Sequence, residues 1–162
     1  MFAAGAGTDT LVLGAVGHLN TTTEAAFFTG FETIQTGATF DMNLLSGLTA
    51  LTVSATGAAA TFSNMDATQA AAVNMIGTIS AGNGVTFALA TTSGTSDVFT
   101  ADVGDDTTTA GIGMDIDTVT LNGFETINLK AVHGSSATEG ASSTSTILKL
   151  NSDVATPVNL TG

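Results

Sequence analysis

At 162 residues the chain has the length of one ordinary domain, and with 43% hydrophobic residues it can bury a core. Fourteen acidic side chains face two basic ones, Lys130 and Lys149, for a net charge of −12; this excludes phosphate backbones, disfavours anionic membrane surfaces and leaves divalent cations as natural counter-ions. Cysteine is absent, which excludes disulfides and thiolate metal sites.

No apolar run reaches the roughly 20 residues that span a bilayer. The N-terminal stretch MFAAGAGTDTLVLGAVG lacks a basic region, so it is not a secretory signal. It reads as the middle of a repeat, and the chain as a piece of a longer one. Short strand-like runs follow at residues 10–13, 32–36, 51–55, 60–63, 84–90, 97–101, 118–121, 126–130, 146–151 and 157–160. Several alternate apolar and polar residues with period two, as in TLVL, TVTL and ILKL, and Gly, Asn, Asp or Ser bounds each run. Residues 66–76, DATQAAAVNMI, form the one helical pattern, with Asp66 as its cap and Ala70, Val73 and Ile76 inward; a strand within a larger sheet is the alternative there. The prevalence of Thr, Gly, Ala and Ser suits closely stacked strands with tight corners and does not suit long helices.

The pentapeptide GFETI occurs at residues 30–34 and again at 123–127. Each copy lies downstream of an Asp-led strand, GTDTLVL in one half and GTSDVFTA in the other, so the chain divides into repeats of about 7–93 and 94–162. Strand-plus-turn units repeated without helices between them are the mark of stacked β architectures. In one continuous strand Glu32 or Glu125 would share the buried face of the following Ile, at high desolvation cost. Each is therefore expected at the corner just before the strand, where its carboxylate accepts backbone N–H bonds from the turn or helps to hold a cation.

Two stretches carry metal-binding spacing. AGAGTDTL, residues 4–11, fits the nonapeptide calcium repeat in all but its first glycine: Gly5 and Gly7 allow the turn, Asp9 supplies hard carboxylate oxygen and Leu11 points inward. Stacked turns share each ion, so the partner of Asp9 is expected upstream of Met1. AGIGMDIDTV, residues 110–119, repeats the spacing with Gly111, Gly113 and Asp115, but Asp117 stands where an apolar residue belongs. With Asp102, Asp105 and Asp106 it makes five carboxylates within residues 102–117 and no basic residue. Their mutual repulsion is relieved either by a bound cation or by exposure as a solvated loop.

His18 and His133 are isolated among small residues, and no nucleophile–histidine–acid pattern, GxSxG, HExxH or phosphate-binding loop occurs. The chain reads as non-enzymatic.

The stretches GAGTDTLVL, GFETIQT, SGLTALTVSATGAAATFSN, ATTSGTSDVFTADV and LNGFETINLKA, in this order, resemble the RTX-type surface-layer (S-layer) proteins secreted by Gram-negative bacteria. The resemblance spans nearly the whole chain. It implies a calcium-bound parallel β-solenoid from the C-terminal region of such a protein, self-association into a two-dimensional lattice outside the outer membrane, and export by type I secretion. Contact with cell-surface polysaccharide would run through other domains, with no nucleic acid and no membrane insertion. It also implies Ca2+ at Gly5, Gly7 and Asp9, and at Gly111, Gly113 and Asp115. Large secreted RTX adhesins, which bind host or biofilm ligands, share these motifs. The expected fold is all-β: one right-handed parallel β-solenoid (β-helix) over 1–162, with RTX-like calcium-binding turns and at most one or two short helices.

Overall fold

The computed structural model describes residues 1–14, 19–104, 115–132, 146–154 and 157–162; strands make up 52% of these residues and helices 6%. The elements in chain order are β1 (Phe2–Ala3), β2 (Thr10–Leu13), α1 (Thr22–Ala25), β3 (Phe28–Thr29), β4 (Thr33–Thr36), β5 (Phe40–Asp41), β6 (Ala50–Val53), β7 (Ala60–Met65), α2 (Ala67–Ala70), β8 (Val73–Met75), β9 (Ile79–Leu89), β10 (Val98–Val103), β11 (Asp115–Asn122), β12 (Thr126–Ala131), β13 (Thr146–Ser152) and β14 (Val158–Thr161).

All strand pairs are parallel. Seven strands form one sheet in the order β14-β12-β10-β8-β6-β4-β2, and five form a second in the order β13-β11-β9-β7-β5. From β4 onward the chain alternates strictly between the two, and each return lays the new strand beside the one it left two elements earlier. Parallel neighbours cannot be joined by a tight hairpin, so every pairing needs a crossover. Here the crossover is a strand of the other sheet rather than a long helix.

Successive register partners in the larger sheet, Thr10–Thr33, Thr33–Ala50, Leu51–Val73, Val73–Ala101, Val98–Thr126 and Ile127–Val158, are 23, 17, 22, 28, 28 and 31 residues apart. None of these is a multiple of nine, so a strict nonapeptide repeat does not pace the winding. Loop closure costs little extra as a loop lengthens, which lets each return take its own length.

Period-two patterning becomes period-two burial. Every second residue of β4 and β6 is buried, and β10 follows the same rule. The buried rows of the two sheets face each other: Ile34, Leu51 and Phe99 from one, Phe62, Phe87 and Leu121 from the other, all at 0% exposure. Four rings run through this core in sequence, with centroids 5.4 Å (Phe62–Phe87), 4.9 Å (Phe87–Phe99) and 5.3 Å (Phe99–Phe124) apart. Aromatic pairs at such spacing add attraction beyond the area they bury.

The helical pattern at 66–76 is realised only for its first turn. Asp66 caps α2, its side chain accepting from Thr68 N–H and Gln69 N–H, while Gln69 Oε1 accepts from Asp66 N–H. The buried Gln69 amide also donates to the carbonyls of Met42 and Leu48. The chain then straightens into β8, because Val73 and Met75 are buried two apart and only a strand puts them on one face.

Candidate metal centre

The duplicated GFETI resolves into a corner. Gly30 and Gly123 adopt φ of +75° and +87°, a left-handed conformation open mainly to glycine. The strand starts only after the glutamate, at Thr33 and Thr126. This frees the phenylalanine from strand alternation, and Phe124 and Ile127 are both buried, at 0% and 1% exposure.

Each glutamate reaches back to the aspartate that begins the preceding strand of the larger sheet. Glu32 Oε2 accepts from Asp9 N–H at 2.9 Å, and Asp9 C=O accepts from Glu32 N–H and Thr33 N–H, both at 3.1 Å. The second corner is its copy: Glu125 Oε2 accepts from Asp97 N–H at 2.8 Å, and Asp97 C=O accepts from Glu125 N–H at 2.9 Å and Thr126 N–H at 3.2 Å. Both glutamates therefore cap a turn, as the corner position demanded. Sequence reasoning singled out both aspartates and both glutamates as strand openers without joining them. The available signal was their recurrence in the same order, Asp9 with Glu32 and Asp97 with Glu125.

In both corners one aspartate oxygen, Oδ2 of Asp9 and Oδ2 of Asp97, is sealed from solvent without a hydrogen-bond partner; among the described residues these are the only such side-chain atoms. A carboxylate oxygen without a donor is the kind of atom that a hard, oxygen-seeking cation takes, but Asp9 is only partly buried and the described residues bring no third acidic or histidine side chain to its corner. Glu32 accepts from the Asp9 main-chain N–H and leaves the Asp9 carboxylate uncontacted. Gly5 and Gly7 stand ahead of it in open space, Gly7 with φ of +125°.

The other predicted ligands are dispersed. Asp102 lies on β10 in the larger sheet, beside its register partner Lys130, whose Nζ is 4.0 Å from Oδ2 with both side chains largely exposed. Asp115 is exposed at the start of β11 in the smaller sheet. Asp117 pins a bulge: Ile116 pairs with Ile79 and Thr118 with Gly84, so residues 80–83 of β9 loop out opposite it. Its Oδ2 accepts from Gly82 N–H at 3.0 Å, and Asn83 Nδ2 donates to Gly57 C=O on the other side of the bulge. This explains an aspartate where the calcium repeat has an apolar residue. Asp105, Asp106, Gly111, Gly113, His18 and His133 lie outside the described residues. Among the described residues no three acidic or histidine side chains converge, and no helix is long and apolar enough to cross a membrane.

No protein-family model, no curated protein and no solved structure matches the chain.

Proposed function

We propose that this chain is a non-catalytic, structural segment of a calcium-dependent bacterial surface layer, folded as a right-handed parallel β-solenoid and exported to the cell surface by type I secretion. The observation that supports the reading is the all-parallel, alternating winding of two sheets, whose end strands β2 and β14 each have one edge without a partner among the described residues. Because every strand points the same way, the free edge of β14 and the free edge of β2 have the same polarity. A second copy can continue the seven-stranded sheet without reversing it. Such head-to-tail contacts are heterologous and propagate rather than close. The β14 end presents exposed Val158 and Leu160 beside a largely apolar cavity of about 390 Å3 that Leu129, Ile147 and Leu150 also line. The β2 end presents Phe2 and Val12, 65% and 62% exposed. Edge strands of this kind are templates for pairing with another chain.

Calcium enters through the charge of −12, which opposes packing of like copies until cations reduce it, and through Asp9. When bound, the ion would supply neutralisation and a crosslink between the Asp9 turn and Glu32. Negative-stain microscopy with and without calcium tests the reading. Ordered sheets or filaments that need calcium support it. Calcium-stabilised monomers that bind glycan or cells would move the assignment to a secreted adhesin segment.

A further inference from the structure

We propose that the open edge of β14 takes the open edge of β2 from a second copy of this chain in one fixed register, Leu160 beside Leu11. The proposal rests on the assembly reading above and deepens it by naming the partner surface and its alignment.

The inward row of the larger sheet selects that register. Partner by partner it runs from Leu11 on β2 through Ile34, Leu51 and Leu129 to Leu160 on β14, on the face turned to the core. Leu160 is 74% exposed and lines the apolar cavity at that end. Leu11 of a second copy prolongs the row over the cavity, whereas a slip by one residue would turn it to solvent.

The neighbouring outward row is polar and selects the same alignment. Asn159 Nδ2 donates to Asn128 Oδ1 at 2.7 Å, and Asn128 Nδ2 donates to Thr100 Oγ1 at 3.3 Å. With Leu160 beside Leu11, Thr10 of the second copy stands next to Asn159 as Thr100 stands next to Asn128. Its hydroxyl can then donate to the Asn159 amide oxygen.

Main-chain parity agrees. In a parallel ladder a residue bonds to the two residues that flank its register partner. Ile127 N–H donates to Pro157 C=O, and Thr33 N–H donates to Asp9 C=O. Pro157, Asn159 and Thr161 therefore turn their main-chain groups to β12, and Asp9 and Leu11 turn theirs to β4. Leu160 on one copy, and Thr10 and Val12 on the other, face the open edges. In the proposed register Leu160 N–H meets Thr10 C=O, and Leu160 C=O meets Val12 N–H.

Charge sets the direction. Residues 1–32 hold Asp9, Glu24 and Glu32 and no lysine, whereas residues 126–162 hold both lysines of the chain against Glu139 and Asp153. A contact between two β2 edges would set three carboxylates against three, while β14 on β2 brings the lysine-bearing end to the acidic one.

The chain has no cysteine, so introduced thiols report this contact alone. Neighbouring strands lie about 4.8 Å apart, within the roughly 4.4–6.8 Å between Cα atoms that a disulfide spans. Thr10→Cys and Asn159→Cys, mixed under mild oxidation in CaCl2, should give disulfide heterodimers several-fold in excess of either homodimer. Leu11→Cys in place of Thr10→Cys should give no excess. Leu160→Pro removes an open-edge N–H and no bond to β12, so it should abolish the heterodimers and larger assemblies with an unchanged circular dichroism spectrum. The thiol result stands whether or not Leu160→Pro folds. Heterodimers no more abundant than homodimers overturn the proposal, as does an excess of Asn159→Cys homodimers, which would mean that two β14 edges meet. If calcium-dependent sheets or filaments still form in either case, copies meet through another face and the surface-layer reading stands. A parent that stays monomeric in calcium overturns both.

Discussion

Glycine and glutamate at the two corners act through main-chain geometry, and their substitutions should separate by local space. Both Gly30 and Gly123 have positive φ, which for alanine costs about 1–3 kcal/mol. At Gly30 an added Cβ meets nothing closer than Ala4 O at 3.4 Å, an ordinary contact. At Gly123 it would stand 2.7 Å from Thr92 Cγ2, so Thr92 must turn away as well. Gly123→Ala should therefore lower the urea midpoint more than Gly30→Ala; equal losses would show that the backbone angle alone matters. At α1, Glu24 closes a capping box, accepting from Asn20 N–H at 3.0 Å and from Thr21 N–H at 3.1 Å. The Asn20 bond, then the Thr21 hydroxyl, hold its carboxyl below the ordinary value of 4.5. A depressed carboxyl stabilises the folded form above the unfolded value and loses that contribution as pH falls through the folded one. The Asn20 and Thr21 amide resonances should thus titrate with a midpoint below 4.5. A midpoint at or above that value would mean that the cap does not form in solution.

Phe87 touches two ring neighbours, at 5.4 Å and 4.9 Å, and is fully buried. Phe87→Ala should cost about 3–5 kcal/mol. Phe27 is 53% exposed, and Phe27→Ser should stay within about 0.5 kcal/mol. Paired denaturation curves check both, and a small loss at Phe87 would argue against a continuous aromatic core. Several strands were legible because apolar and polar residues alternate between turn formers: in TLVL, ALTV and TINL burial follows that alternation, whereas the longest strand, Ile79–Leu89, was read only from residue 84. The two-residue strands β1, β3 and β5 were not, since two residues show no period. Nor was α1, although TTTE carries the Thr-x-x-Glu capping spacing; one turn offers no apolar stripe to read. The bond that Asp117 makes was not legible for a related reason. Its Gly-x-Gly-x-Asp neighbourhood points to an ion, while its observed bond goes to a bulge 35 residues away, a pairing set by register and invisible to local spacing.

Across the whole molecule the dominant physical fact is a charge of −12 spread over fourteen carboxylates and two lysines. Like charges destabilise a compact state through self-repulsion, so any salt should raise the melting midpoint somewhat by screening. Site binding adds a separate term. An ion that binds only the folded chain stabilises it by about 2.7 kcal/mol at a hundred times its Kd. For a domain of this size that corresponds to roughly 5–10 °C. The two effects part when ionic strength is held constant. Melting curves in NaCl and in CaCl2 at the same ionic strength should differ, with the calcium midpoint higher and still rising with the logarithm of calcium concentration. Asp9→Asn should remove part of that excess and leave the sodium curve almost unmoved, because it deletes one charge of many but one of the few oxygens sealed without a donor. Coincident sodium and calcium curves would reduce the cation effect to screening. The orphaned oxygen at Asp9 would then be closed by water, and the acidic surface would serve only to keep the chain apart from its copies.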